Sequence, residues 1–228
     1  SVPRKNIKDL GGKPLIAWTI EAAKQSGAFD RLVLTTDDAE IAEVGKRYGA
    51  EVPFLRPAEL AEDTTPTLPV LQHAITWLKE QEGYEPDAAM LLQPTTPFRS
   101  AEHLRGAVEL FEKTGADSVV SVVKIPSHFH PHWSVKKDEQ DLGTLFVSDD
   151  TIRKRIPRRQ HLAPSYSLNG DIYLLKTGLL FDSSEPNFYG ERVAIYPMEE
   201  KYSVNIDDLS DWNFAEWRVA QLDSEHEG

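Results

Sequence analysis

A strand-like run followed by polar residues is the part of this sequence best suited to chemistry. Residues 88–92 have the length and apolar composition of a buried strand, and Ser100 begins the predicted helix 101–113. Ligands of open α/β sheets lie beyond the carboxyl ends of the strands. An ordinary strand-to-helix connection is the alternative, but Pro94 and Pro97 favour a binding loop. The polar side chains expected at that position are Gln93, Thr95, Thr96 and Arg99.

A cluster of positive charge begins the chain. Arg4, Lys5 and Lys8 lie within five residues, in a protein whose formal net charge is -12. An anionic ligand therefore has to be met by local clusters of this kind. Two glycines follow, and Pro14 begins the predicted helix 14–26. A flexible basic loop at a binding site and a solvated N-terminal tail are both compatible with this pattern.

Periodic apolar segments supply the elements that must position these residues. Helices and strands alternate through the first half of the chain, which is typical of a doubly wound, mostly parallel sheet and of the α/β fold class. The predicted helices are residues 14–26, 39–48, 68–80, 101–113 and 211–222. The predicted strands are residues 31–35, 51–55, 88–92, 117–123, 172–176 and 192–197.

Residues 124–165 interrupt this alternation and are predicted to protrude from the single domain formed by residues 1–228. Three histidines at alternate positions could share one face of a strand and bind a metal. The alternative is that they are solvated or lie at an interface, since no carboxylate partner is evident. They are His128, His130 and His132. The basic residues that follow fit a phosphate site, an exposed arm or a partner contact, and they are Arg153, Lys154, Arg155, Arg158 and Arg159.

Composition excludes several classes of function. The 228 residues contain no cysteine, which rules out disulfides and zinc-thiolate sites. No apolar run approaches the ~18 residues of a membrane span, and no signal peptide is visible. The net charge of -12 argues against a general nucleic-acid binder. We therefore expect a soluble, cytoplasmic protein with neither nucleic acid nor membrane as a partner.

Six blocks of sequence together resemble the acylneuraminate cytidylyltransferases, the CMP-sialic acid synthetase family, over nearly the whole chain. They are residues 3–7 (PRKNI), 35–38 (TTDD), 56–60 (RPAEL) with Asp63 and Thr64, 91–99 (LLQPTTPFR), 169–173 (NGDIY) and 204–207 (VNID). Members of this family join a 2-keto-3-deoxy sugar acid to CMP from CTP, release pyrophosphate and need Mg²⁺. The resemblance implies a nucleotidyltransferase-like variant of the Rossmann fold, with CTP and a nonulosonate such as a sialic or legionaminic acid as substrates.

The resemblance also assigns roles to individual residues. Lys5 and Asp207 are implied to be catalytic, with Asp207 and Asn205 at the metal position. The excursion, residues 124–165, is implied to deliver Arg159 to a neighbouring subunit, which predicts a homodimer with shared active sites. The implied nucleotide-binding residues are Arg4, Lys5, Asn6, Arg56 and Thr67. The implied sugar-binding residues are Gln93, Arg159, Asn169, Tyr173, Phe188 and Tyr189.

The chain departs from the family pattern in three respects. Asn205 replaces the first aspartate of the metal pair, which removes a negative charge. Trp133 and Ser167 stand where relatives have a lysine and an arginine. The first strand and Gly-rich basic loop of the family have no counterpart before residue 3, so we expect an upstream segment in the natural protein. Without that central strand, the strands on either side of it are expected to have exposed edges.

Two other functions are compatible with the sequence. One is a nucleotidyltransferase that uses a sugar 1-phosphate, because such enzymes share the fold and the basic N-terminal loop. The other is a catalytically silent nucleotide-binding homologue, which Asn205 and the missing first strand would suit.

Overall fold

The computed structural model describes residues 2–62 and 64–226, so Asp63 of the RPAEL block lies outside the described residues. Helices in this part of the chain are α1 (Leu15–Ser26), α2 (Ala39–Tyr48), α3 (Thr67–Glu82), α4 (Ala101–Thr114) and α5 (Leu209–His226). Strands are β1 (Asp9–Leu10), β2 (Lys13–Pro14), β3 (Ala88–Leu91), β4 (Ser118–Lys124), β5 (Val135–Lys137), β6 (Gly143–Leu145), β7 (Tyr166–Lys176) and β8 (Val193–Met198). Among the helices of these ranges, none has both the length and the apolar character needed to cross a membrane.

Side-chain caps begin two of the helices. The Asp38 side chain accepts hydrogen bonds from the backbone N–H groups of Glu40 (2.8 Å) and Ile41 (3.1 Å) at the start of α2. Ser100 caps α4, and the His103 ring accepts a hydrogen bond from the Ser100 N–H in return. These caps satisfy N–H groups that have no partner inside the helix, and they fix where the predicted binding loop ends.

The central sheet is mixed, with four strands in the order β3-β7-β4-β8. β7 lies antiparallel to both β3 and β4, whereas β4 and β8 are parallel. The α/β class is confirmed, but the expectation of a mostly parallel sheet is wrong for these strands. After residues 124–165 the chain continues as β7, an 11-residue strand that lies between β3 and β4. Its antiparallel direction could not be predicted, because the apolar periodicity of a strand does not depend on the direction in which the strand runs.

The predicted strands at residues 31–35 and 51–55 are replaced by a single parallel bridge between Val33 and Glu51. The backbone hydrogen bonds between the two segments are confined to this bridge, where Leu34 N–H donates to the Glu51 carbonyl and Glu51 N–H donates to the Leu32 carbonyl, both at 2.8 Å. A cavity of about 450 Å³ separates this bridge from β3. In the described part of the chain, β7 is the only strand paired with β3.

Two of the three groups of buried apolar side chains among the described residues pack the sheet and the predicted binding loop against helices. One lies between the sheet and the helices α1 and α4, and its members include Ala23, Leu104, Val119 and Ile172. The other joins the predicted binding loop to α5, and its members include Leu15, Phe98, Val204, Ile206 and Trp212. Full burial of one such side chain contributes roughly 1.5–3 kcal/mol, so the second group anchors the loop firmly.

After Lys124, which ends β4, the excursion up to residue 165 consists of the hairpin β5–β6, a bridge between Thr144 and Thr151, and short 3₁₀ turns. The three histidines do not form a metal-ligand cluster there. His130 is buried against the Ala163 carbonyl at 2.9 Å, and its ring stacks on that of His132 with centroids 5.5 Å apart. Trp133 donates its indole N–H to the Ile156 carbonyl at 2.8 Å. Several large apolar side chains of this segment are exposed.

Candidate active site

The loop after β3 folds around Arg99. Nη2 of Arg99 donates hydrogen bonds to the carbonyls of Gln93 and Thr96 and to Thr96 Oγ1, the last at 2.6 Å. Only 2% of the Arg99 surface is exposed. Arg99 lies beyond the end of β3, where the sequence predicts it, and its guanidinium is turned into the loop. The carbonyls of this tight turn point inward and need a buried donor, which the guanidinium supplies.

The segment 204–207 is extended beside this loop. Val204 and Ile206 are buried while Asn205 and Asp207 are exposed, as alternation along an extended chain requires. Ile206 N–H donates to the Thr95 carbonyl at 2.9 Å. The Lys5 ammonium in turn donates to the Ile206 carbonyl. Two hydrogen bonds thus bring the N-terminal basic cluster, the loop and the VNID block together.

Asn205 and Asp207 form a pair at the surface. Asn205 Nδ2 donates to Asp207 Oδ2 at 2.6 Å. The Asp211 carboxylate accepts the backbone N–H groups of Asp207 (2.9 Å) and Asp208 (3.0 Å), and these hydrogen bonds lower the pKa of Asp211. No cluster of three or more acidic, histidine or cysteine ligands occurs within the described ranges. A hard cation at Asp207 would therefore take most of its oxygen ligands from substrate phosphates and water, as Mg²⁺ commonly does.

The cavity beside β3 collects four of the predicted site residues, namely Asn6, Arg56, Thr67 and Gln93. Its deeper wall is apolar, with Leu32, Leu34 and Met90 among the lining residues. Arg56 ion-pairs with Asp37 at 3.3 Å, but its Nε is buried without a hydrogen-bond partner in the described chain. Arg56 lines the cavity, so its unpartnered Nε–H could donate a hydrogen bond to an acceptor on a bound molecule.

Aromatic residues flank the loop on the side of β7. Tyr173 pairs with Leu91, two residues before Gln93, and its ring centroid lies 6.4 Å from that of Phe188. Phe188 lies 6.4 Å from Tyr189. Burial raises the pKa of Tyr173, and the nearby Tyr189 and Asp171 raise it further.

Gly170 leaves the space between the loop and these rings clear. Its φ is +78°, and a Cβ at this position would lie 3.9 Å from Gln93 Oε1 and 4.0 Å from the Tyr173 hydroxyl. Gln93 and Tyr173 therefore face a common space across this glycine. A side chain at position 170 would both strain the backbone and enter that space.

Asn169 lies in a buried polar network. A β-bulge between Val120 and Val122 frees Ser121, whose hydroxyl donates to Asn169 Oδ1 at 2.6 Å and accepts the Ile172 N–H at 2.7 Å. Asn169 Nδ2 donates to the Ser203 hydroxyl at 2.7 Å. Both ends of the amide are engaged with protein groups, so in this structure Asn169 connects the sheet to the segment 204–207.

Ser121, Asp171 and Ser203 have no role predicted from the sequence. A serine inside the β-branched run DSVVSVV and an aspartate at the start of an apolar strand were the available signals. Both are polar residues at positions where a core side chain is expected. Such positions indicate either a buried network or a bulge.

Two predicted residues have other surroundings. Arg4 has φ 51° and ion-pairs with Asp38 at 3.3 Å and with Glu40, at the start of α2. Arg159 is exposed in the 3₁₀ turn Arg159–His161 of the excursion. Neither residue lines the cavity. Arg159 is therefore not part of the cavity wall of its own chain.

The fold and the position of the site beyond the strand ends define a nucleotidyltransferase-like α/β protein. The solved structure of CMP:2-keto-3-deoxy-manno-octonic acid synthetase complexed with CTP superposes with a TM-score of 0.69 at 15% identity, covering 97% of this chain and 93% of that one. A cytidylyltransferase family model matches residues 1–221, and the chain belongs to the cytidylyltransferase family.

Two relatives have higher sequence similarity. A CMP-N,N'-diacetyllegionaminic acid synthase from Legionella pneumophila is 36% identical over 225 residues, which are 98% of this chain and 92% of that protein. N-acylneuraminate cytidylyltransferase A from Danio rerio is 34% identical over 221 residues, which are 97% of this chain. The chain spans about half, 48%, of the length of the Danio rerio relative.

Proposed function

We propose that this protein is a cytidylyltransferase that activates a 2-keto-3-deoxy sugar acid of the nonulosonate class with CTP. The observation that carries the proposal is the pair of hydrogen bonds that joins Lys5, Ile206 and Thr95. It gathers a cation, the Asn205–Asp207 pair and a polar loop at one edge of the sheet. The names of the two relatives, a CMP-legionaminic acid synthase and an N-acylneuraminate cytidylyltransferase, support the substrate class.

In the proposed reaction, the anomeric hydroxyl of the sugar acid attacks the α-phosphorus of CTP. The new bond joins that oxygen to phosphorus, the α,β-phosphoanhydride bond breaks, pyrophosphate leaves, and the hydroxyl proton is released. Because phosphoryl transfer needs chiefly charge neutralisation and alignment, a few well-placed side chains suffice. Lys5 would neutralise charge on the triphosphate, and Asn6, Arg56 and Thr67 would surround the nucleoside from the cavity rim.

The sugar acid would occupy the space that Gln93 and Tyr173 share across Gly170. Phe188 and Tyr189 would cover its acyl and glycerol parts and exclude water from the reacting centre. Asp207, with Asn205 beside it, would hold Mg²⁺ together with the phosphates. When bound, Mg²⁺ would offset the negative charge that develops on the phosphate oxygens.

A panel assay tests this proposal. The protein is incubated with CTP, Mg²⁺ and eight- and nine-carbon keto acids, and pyrophosphate and the mass of the CMP conjugate are measured. A CMP conjugate with at least one nonulosonate is expected. Turnover of UTP with a hexose 1-phosphate, together with none of CTP with any keto acid, would replace the proposal by a sugar 1-phosphate nucleotidyltransferase. CTP binding without turnover would indicate a silent homologue.

We also infer a homodimer in which residues 124–165 reach the partner's site. Supporting this, the excursion exposes large apolar side chains, with Phe129, Leu142 and Phe146 exposed by 69%, 66% and 62%, and Arg159 does not line its own chain's cavity. Such exposure on an ordinary monomer surface is unfavourable. Mixing equal amounts of inactive Arg159→Ala and Asp207→Ala subunits would restore about a quarter of the wild-type activity if sites are shared. About half of the dimers would be mixed, and each mixed dimer would have one of its two sites intact. No recovery on mixing would contradict shared sites.

A further inference from the structure

His103, in the first turn of α4, lies between two tyrosine rings outside the candidate site. Its ring centroid is 4.7 Å from that of Tyr202 and 6.4 Å from that of Tyr196, and both contacts are edge-to-face. Gly106, one turn further along α4, allows this packing, because a Cβ there would lie 2.6 Å from the Tyr196 hydroxyl. Edge-to-face contacts between aromatic rings are favourable and orient both rings. The imidazole therefore joins the start of α4 to β8 and to the turn that follows β8.

The same imidazole closes the end of the loop after β3. Its Nδ1 accepts the Ser100 N–H at 3.0 Å, and the His103 backbone N–H donates to Ser100 Oγ at 3.4 Å. Because Nδ1 is an acceptor, the neutral ring carries its proton on Nε2. A second proton, on Nδ1, would point at the Ser100 N–H, and the imidazole would lose its part of the capping box. Only the neutral ring therefore caps Ser100 while it packs on Tyr202.

Tyr202 lies at the entrance to the segment 204–207. One hydrogen bond, from Ile206 N–H to the Thr95 carbonyl, joins this segment to the loop after β3. His103 provides a second tie, from the other end of the loop to the Tyr202 ring. Two ties at separate points prevent rotation of one segment about the other, which a single hydrogen bond permits.

We propose that His103 is a positioning residue, whose neutral imidazole holds the segment 204–207 in a fixed orientation to residues 93–99. The first segment carries Asp207 and the second carries Gln93, so the spacing of the proposed metal and sugar contacts depends on this tie. The consequence for catalysis rests on the proposed function, whereas the tie between the two segments does not. An ordinary helix cap would need the acceptor alone and would not need the contact with the tyrosine ring.

Three charged side chains face the imidazole from the elements packed around it. Glu102 lies on α4, and Glu199 and Lys201 lie in the turn after β8. Burial lowers the pKa of His103 below 6.5, the two carboxylates oppose this fall, and the ammonium adds to it. The ring is therefore neutral at pH 7, and the cap it provides is lost as pH falls through a value below 6.5.

The first test uses the protein alone and two variants that each keep one half of the tie. His103→Gln keeps an acceptor for the cap but has no ring, whereas His103→Phe keeps a ring but has no acceptor. We expect amide hydrogen exchange at Ile206 to become several-fold faster in both variants, with β7 unchanged. Glu112→Gln, at an exposed position on the same helix, is the matched control. Exchange at Ile206 equal to that of the control in either variant would overturn the proposal.

Nitrogen NMR of the wild-type imidazole tests the proposal without any substitution. We expect the proton of the neutral His103 ring on Nε2 and a pKa below 6.5. A neutral ring with its proton on Nδ1 would refute the acceptor role and with it the tie.

The pH dependence of turnover separates a positioning role from a structural one. With CTP, Mg²⁺ and an accepted keto acid, kcat of the wild type should fall in acid with an apparent pKa equal to that of the His103 ring by NMR. His103→Gln does not titrate and should lack this fall, with kcat about tenfold lower at neutral pH and the KM for CTP unchanged. A merely structural residue would lower Tm and leave the pH dependence as in the wild type, which would refute a positioning role. If the wild type turns over no keto acid, the proposed function fails, while exchange and NMR still decide the role of His103.

Discussion

At the scale of single residues, the proposed chemistry depends on side chains that contribute little to the fold. Asp207 is exposed, and its carboxylate contacts the Asn205 amide. Lys5 is half-buried and contacts a backbone carbonyl. The alternation of buried and exposed residues in VNID is readable from the sequence, and so is the positive charge of the PRKN segment. The role of Arg99 is not, because its burial arises only when the loop closes around it.

Replacing Asp207 by alanine should abolish Mg²⁺-dependent turnover and leave the fold intact. We expect kcat/KM to fall by at least about 100-fold, since a group that helps stabilise transition-state charge is lost. The free energy of unfolding should change by less than about 0.5 kcal/mol, as for other surface positions. Asp30→Ala, at another exposed aspartate, is the control. Wild-type kinetics in Asp207→Ala would remove this residue from the site.

Replacing Asn205 by aspartate should strengthen Mg²⁺ binding. A second carboxylate would add a charged hard ligand beside Asp207, in place of the amide that now donates to it at 2.6 Å. The Mg²⁺ concentration for half-maximal activity should fall several-fold, measured by titration at saturating CTP. An unchanged titration midpoint would show that position 205 does not contribute to the metal site.

At the scale of elements, helices were predictable because their apolar period, caps and C-terminal glycines all agree. α2 has the predicted bounds, and α1 and α4 differ from theirs by one residue. The central sheet was less predictable. Strand direction depends on how the chain returns from residues 124–165. Residues 31–35 and 51–55 form only one bridge, because a longer ladder requires paired residues along the whole length of both segments. The bulge at Ser121 similarly depends on pairing between distant segments.

Removing the Ser121 hydroxyl should destabilise the junction of β4 and β7. Ser121→Ala would leave the buried Ile172 N–H and one end of the Asn169 amide without their hydrogen bonds. We expect a loss of about 1–3 kcal/mol in the free energy of unfolding, measured by urea denaturation. Ser167→Ala is the matched control on β7, since Ser167 is exposed and should change stability by less than about 0.5 kcal/mol. Equal stability of the two variants would contradict the role of the network.

At the scale of the whole molecule, a protein with a net charge of -12 repels the anionic substrates of the proposed reaction unless positive side chains are concentrated where those substrates bind. Lys5 and Arg56 lie at the site, while the basic run of residues 153–159 lies on the excursion. The excursion also exposes apolar side chains that a second copy would cover. Neither arrangement follows from composition, because both depend on which surface each segment occupies.

The whole molecule's stability should depend on pH through Asp171. A carboxyl whose pKa rises on folding, here from 3.8 to about 7, binds its proton more tightly in the folded state. The contribution of Asp171 to folding is therefore fully present below about pH 4, and it is lost as pH rises through about 7. This shift corresponds to about 4 kcal/mol; burial of the carboxyl causes it, and the positive charge of Arg99 and the hydroxyls of Thr96 and Ser203 oppose it.

Comparison with Asp171→Asn isolates this contribution. His103 titrates in the same range, and its pKa is lowered by burial, so it favours folding at higher pH in both proteins and cancels in the difference. The Tm of Asp171→Asn relative to the wild type should rise by about 5–10 °C between pH 5 and pH 8.5, measured by calorimetry. A difference that stays constant over this range would mean that Asp171 is ionised in the folded protein as readily as in water, and that the Arg99 charge fully offsets its burial.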